Sequence, residues 1–418
     1  MSFFITLIYL FCIFIRPQDW MPALEQVPVA LILVGSAYFF LLIELLAFRK
    51  EGFAKVPQNR MMLGFMFAIL MSHLVHTYFD GIIKAVNDFL IIFLSFYLIL
   101  NALNTKRKFT IALWMIVLMI FFLAPQGIYQ NATGVGWAGQ KIMYEVHRDE
   151  TRINWVGIFS DPNDLVLTFN VAVGIILAFI FGRVFFLARI INLIMLGYLF
   201  YGIYLTNSRG GIVSLVATMF FYFTRKTKRW FLGGIIGTIA VFGIFAFGPS
   251  RVSIMDVHES SAMGRVELWY NGILMIKANP IFGVGYDMFM AELPQTAHNS
   301  FILATAELGF VGLFFWMALI YCSFRGMSII QENDPKLFNY ALGLQTALIS
   351  FCVAAFFLSR TYVIIPYIIF ALCGALMHIA KKNNPSLDFK FTKQDFRATI
   401  FISILVLCLA YGVIKLGV

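Results

Sequence analysis

The stretch HNSFILATAELGFVGLFFWMALIYCS, His298 to Ser323, decides how this chain is read. A polar mouth opens a run long enough to cross a bilayer, which takes about 20 mostly apolar residues. One ionisable residue, Glu307, stands inside the run and must find a polar neighbour there. Gly309 and Gly312 suggest close helix packing. Just upstream the chain reads SAMGRVELWYNGILMIKANPIFGVGYDMFM and then AELPQTA, residues 261–297. An arginine, two glycine turns and a histidine thus gather between long apolar segments.

Outward from this stretch, the chain is mostly apolar. Of 418 residues 61% are hydrophobic and 12% charged, where a soluble domain carries roughly 25% charged residues. An all-α polytopic membrane protein is expected. Apolar runs at 2–20, 27–48, 61–78, 82–103, 109–123, 165–181, 190–206, 211–223, 230–247, 298–323, 337–358, 362–380 and 398–415 give about 12–13 transmembrane helices, the lower count applying if the first is re-entrant. The first run lacks a basic leader and a small-residue cleavage site, so it is expected to be retained. The five cysteines, Cys12, Cys322, Cys352, Cys373 and Cys408, lie in apolar runs with neither metal-ligand nor disulfide spacing.

A net charge of +10 in a soluble protein would point to nucleic acid. Here the cations instead cluster in alternate loops: Arg49 to Arg60, Lys106 to Lys108, Arg183 and Arg189, Arg225 to Arg229, Arg325 and Lys336, and Lys381 to Arg397. By the positive-inside bias that face is cytoplasmic, and no nucleic-acid partner is expected. The opposite, outer face receives two long loops, 124–164 and 248–297, with acidic residues in excess. Three parts follow: N-terminal helices 1–123, a core 124–323 holding both loops, and C-terminal helices 324–418. Trp137, Trp155, Tyr129 and Tyr144 give the first loop an interfacial character, and Gly134, Gly136 and Gly139 give it turns. In the second, Val266, Trp269, Tyr270, Ile273 and Leu274 recur at helical spacing, which predicts a helix from Ser260 to Ala278 ended by Pro280.

Cations on the outer face run against the bias, and there function is sought. Arg209 in TNSRGG is either a ligand-facing cation or a snorkelling arginine at a helix end. Arg265 can grip phosphate oxygens with paired donors, or form a salt bridge with Asp256, Glu259 or Glu267. His298 has the chemistry to take a proton from an attacking hydroxyl at neutral pH, or it caps the helix. Arg16 and Arg360 are further cations of this face. In SDPND, residues 160–164, Asp161 and Asp164 suit a helix N-terminus better than a metal site. His73 and His76 lack a third ligand, so no metal is expected.

Together TNSRGG, the loop GR…W…NPIFGVGYDMF, and HNSF followed by ELGFVG resemble the O-antigen ligase and Wzy polymerase superfamily of bacteria. IRPQDW near the start and GIFSDPNDL before a middle span are similar to segments of its members. The clear match covers residues 154–314; the flanks agree in hydropathy alone. The resemblance implies a multi-pass glycosyltransferase of GT-C-like architecture in the inner membrane, with its active face periplasmic and short helices in a periplasmic loop. It would act without metal or other cofactor, moving a glycan from undecaprenyl diphosphate to lipid A core or another acceptor. By the same resemblance Arg209 and Arg265 would neutralise the diphosphate and His298 would activate the acceptor, with Arg16, Asp161, Arg360 and Glu307 as weaker candidates. A polymerase extending a carrier-linked repeat, or a protein O-oligosaccharyltransferase, uses related motifs. A transporter or flippase would instead spread ionisable residues toward the midplane.

Overall fold

The protein, seen in a computed structural model, is described over residues 1–47, 52–145, 150–182, 185–231, 234–235 and 260–417. It is an all-α polytopic membrane protein. Fourteen helices follow in order among the described residues: α1 (Ser2–Phe14), α2 (Val29–Ala47), α3 (Pro57–Leu74), α4 (Phe79–Ala102), α5 (Lys106–Thr133), α6 (Pro162–Ile180), α7 (Phe186–Leu205), α8 (Arg209–Thr227), α9 (Ser260–Ala278), α10 (Phe289–Glu292), α11 (Ser300–Asn333), α12 (Phe338–Ala355), α13 (Ile364–Asn383) and α14 (Lys393–Gly417). A hairpin of β1 (Met143–Glu145) and β2 (Glu150–Arg152) stands in the first long loop, pairing Met143 with Arg152.

Every expected span within the described residues is a helix, and the one at 230–247 lies largely outside them. Among the described residues eight helices are long and apolar enough to cross a membrane: α4 to α7 and α11 to α14. Three of the other expected spans are shorter or more polar than these. α1 is a shorter apolar helix of 13 residues. α3 begins on the polar residues PQNR, and α8 carries Arg209, Arg225 and Lys226 at its ends.

The chain divides into two compact units. The first holds the described residues of Met1–Phe53, Leu98–Met255 and Met327–Ala354. Its centre is α6, started by Asp161, whose side chain accepts from Asn163 N, and by Pro162 in the first turn. Every α6 residue except Asn163 and Asp164 is buried. A helix apolar on all sides belongs in a core. α5, α7 and α8 pack around it, and Gly174 lets α12 approach, since a Cβ there would lie 2.9 Å from Ala347 N. α5 runs well past residue 123 before Gly134, at φ 80°, ends it with a left-handed turn.

The second unit holds the described residues of Ala54–Tyr97, Asp256–Gly326 and Ala355–Val418. The predicted loop helix is α9, with the bounds read from its spacing. Its Leu268, Trp269, Met275 and Ile276 form a core with Ile302, Leu303 and Ala306 of α11 and Ala410 and Ile414 of α14. α9 therefore lies against a helical bundle.

Candidate functional site

In the second unit the mouth of α11 is fixed by its own polar residues. Asn299 Oδ1 accepts from Phe301 N at 2.9 Å and Ile302 N at 3.1 Å, so Asn299 is the cap. His298, one residue earlier, is half-buried and takes φ 48°, a left-handed conformation rare outside glycine. Ser300 Oγ donates to Leu358 O at 2.5 Å and accepts from Arg360 N at 2.7 Å. Thr361 Oγ1 donates back to Ser300 O at 2.9 Å. The connection carrying Arg360 is thereby tied to the residue two beyond His298.

Arg265 stands one turn before Trp269 on the same face of α9. Trp269 is buried and meets Phe356 edge-on, with ring centroids 5.5 Å apart. Phe356 also meets Phe301, at 6.3 Å. Arg265, His298 and Arg360 thus sit on three segments that pack against one another. Of the counter-ions expected for Arg265, Asp256 and Glu259 lie outside the described residues.

Lower in α11 the helix breaks. Gly309 adopts φ 64° and ψ −170°, and the loop after α9 fills the gap. Val284 N donates to Ala306 O at 2.9 Å and Gly285 N to Glu307 O at 3.0 Å. In return Phe310 N donates to Pro280 O at 2.8 Å and Val311 N to Ile281 O at 3.2 Å. Four backbone groups that a continuous helix would pair internally are satisfied by NPIFGVG instead. Gly309 is therefore a break joining two motifs, a different role from the close packing expected of it. Glu307 is 2% exposed; its Oε1 accepts from Phe289 N at 3.0 Å, and Tyr362 lies beside its carboxylate. The loop is clamped from α3 and α4 as well. Ser72 Oγ accepts from Tyr286 N at 3.0 Å, His76 Nε2 bonds Gly283 O at 2.9 Å, and Lys84 Nζ meets Asp287 Oδ2 at 2.6 Å. The helix bearing Arg265 is in this way stapled to α11, the helix that follows His298.

The first unit carries the other candidates. Arg16, at φ 55°, pairs with Asp19, and Gly157 lies directly against that pair. Trp155 Nε1 donates to Ile15 O at 3.2 Å, and Phe14 stacks on Phe159 at 6.1 Å. IRPQDW and GIFSDPNDL are thus one packed assembly, and Trp155 is buried within it, where an interfacial position was expected. Asp161 caps α6. Arg209 opens α8 behind Ser208, whose Oγ accepts from Gly211 N at 3.1 Å and donates to Asn163 Oδ1 at 2.7 Å. Asn163 also accepts from Arg152, a buried arginine that hydropathy gave no reason to single out.

Arg265, His298, Glu307 and Arg360 therefore share the second unit, while Arg16, Asp161 and Arg209 belong to the first. In the second unit, two guanidiniums and an imidazole on adjoining segments suit an anionic leaving group next to a hydroxyl that loses its proton. Among the described residues no three His, Cys, Asp or Glu side chains gather as metal ligands would.

Residues 193–317 match the family model described as O-Antigen ligase. That stretch runs from α7 into α11 and includes Arg209, Arg265, His298 and the Gly309 break. Over that stretch, less than half of the chain, the sequence is similar to the O-antigen ligase and Wzy polymerase superfamily of membrane proteins. It is also similar to the exopolysaccharide production protein ExoQ of Rhizobium meliloti (strain 1021), at 28% identity over 120 residues. The alignment covers 24% of this chain and 28% of that protein, little more than a quarter of its length.

Proposed function

We propose that this protein is a membrane glycosyltransferase that moves a glycan from undecaprenyl diphosphate to an acceptor hydroxyl on the periplasmic side of the bacterial inner membrane. The observation that carries this reading is the joining of Arg265, His298 and Arg360 through packed segments at the mouth of α11. His298 takes the proton of the acceptor hydroxyl as its oxygen attacks the anomeric carbon. The bond from that carbon to the diphosphate oxygen breaks, and its electron pair leaves with undecaprenyl diphosphate. Arg265 holds the charge that develops there, which favours the transition state over the ground state; Arg209, in the first unit, is read by itself as a cation for the diphosphate. Attack from the face opposite the leaving group inverts the anomeric centre. The chemistry calls for no metal, because fixed guanidiniums supply the positive charge.

Ligation of a finished glycan to lipid A core or another terminal acceptor is the first form of this reading. A polymerase that extends a carrier-linked chain is the second, favoured by the similarity to a protein named for exopolysaccharide production. The two separate in a host deleted for the gene and complemented with wild type or Arg265→Ala. The variant is expected to lower product by about 10²–10³-fold, the effect of removing one preorganised donor to developing charge. Long chains stranded on the carrier mark a ligase; single repeats reaching the acceptor without long chains mark a polymerase. Wild-type profiles from Arg265→Ala would remove Arg265 from the site.

A further inference from the structure

Arg152 is 7% exposed, a depth at which a charge is costly unless it is paired and hydrogen-bonded. Its Nε donates to Thr206 O at 2.9 Å and its Nη2 to Asn163 Oδ1 at 3.0 Å, while Nη1 faces Glu145 Oε2 at 3.9 Å. These partners leave little of the guanidinium for a ligand. What they hold is the turn between α7 and α8. Asn163 Oδ1 takes the Ser208 hydroxyl, and Ser208 Oγ takes Gly211 N. Alongside, Ile153 N donates to Leu205 O at 3.3 Å and Asn207 Nδ2 to Thr151 O at 2.9 Å. Asn207 itself sits at φ 48°, a conformation that persists where surrounding bonds fix it. The next residue after this bonded turn is Arg209.

We propose that Arg152 is a positioning residue for Arg209, holding the 206–208 turn so that Arg209 meets the diphosphate in one fixed place. This rests on the reading of Arg209 as a diphosphate-binding residue. Paired recognition of phosphate oxygens is demanding in geometry, and a displacement of about 1 Å can cost about 100-fold in rate. A planar guanidinium makes the two divergent bonds to Thr206 and Asn163 together; a lysine ammonium has one point of charge and no such fork.

The test uses the full-length protein in nanodiscs with undecaprenyl diphosphate as the probe, comparing wild type, Arg152→Gln, Arg152→Lys, Arg209→Ala and the Arg152→Gln/Arg209→Ala double variant. Arg152→Gln and Arg209→Ala are each expected to weaken binding about tenfold, as for loss of one hydrogen-bonded charge. The double variant should be no weaker than Arg209→Ala, because residues acting through one contact do not add. Arg152→Lys should recover only part of the affinity. Amide exchange in Arg152→Gln should rise over residues 207–212 and stay unchanged elsewhere. A double variant weakened by the product of the two factors would overturn the inference, as would exchange rising along the whole chain or not at all. If Arg209→Ala binds like wild type, the diphosphate reading of Arg209 falls, and exchange at 207–212 alone decides whether Arg152 positions the turn.

Discussion

Replacing His298 by alanine is expected to lower glycan transfer by about 10²–10⁴-fold, the range that a positioned general base contributes. The protein's amount in the membrane should stay the same, because the cap of α11 is Asn299 and remains in place. Alanine at φ 48° introduces some strain, so a second variant separates geometry from chemistry. Asparagine tolerates the left-handed region and can still hydrogen-bond, yet cannot take a proton at neutral pH. His298→Asn should therefore transfer as poorly as His298→Ala. Recovery of transfer by asparagine would reduce His298 to orienting the acceptor. Wild-type transfer by both variants would remove it from the site. The measurement is product formed per molecule of purified protein.

The second large effect concerns the break in α11. Gly309→Ala is expected to destabilise the protein by at least about 3 kcal/mol, combining a backbone region essentially reserved for glycine with overpacking. At φ 64° and ψ −170° the added Cβ would be driven into the Ile281 carbonyl, which is backbone and has nowhere to turn. The loop 280–285 must then leave the gap in α11, releasing the four bonds that tie the loop after α9 to the helix that follows His298. Thermal melting in detergent should show a clear fall in midpoint, accompanied by loss of transfer. Gly412→Ala in α14 is the control: nothing lies within 4 Å of its Cβ, and helix propensity alone should add up to about 1 kcal/mol. Equal melting of the two variants would mean that the break is not held by this loop.

What could be read in the sequence were the features that hydropathy and short-range spacing encode. The apolar runs within the described residues became helices, and α9 took the bounds set by Val266, Trp269, Ile273 and Pro280. The Asp161 cap was equally local, since its partner is two residues away. The rest depends on pairing between distant segments. ELGFVG is compatible with an unbroken helix, and only hydrogen bonds from NPIFGVG reveal why Gly309 interrupts it. His73 and His76 resembled an incomplete metal pair, yet His76 holds Gly283 O and His73 packs beside Gly285. Arg152 gave no periodic signal; its meaning comes from Thr206 and Asn163, which the fold brings to it. One clue was available, because a cation on a face depleted in cations had already drawn attention to Arg16, Arg209, Arg265 and Arg360. Applied to the first loop, the same rule would have included Arg152.

On the proposed function, the chain itself transfers a glycan from a polyprenyl diphosphate. Its most direct test supplies purified protein in nanodiscs with an undecaprenyl-diphosphate-linked glycan and a hydroxyl-bearing acceptor, with EDTA present. Undecaprenyl diphosphate should be released in step with glycosylated acceptor, the new linkage should have inverted configuration, and EDTA should leave the rate unchanged. Movement of the intact lipid-linked glycan across the bilayer, with no bond from sugar to diphosphate broken, would contradict it.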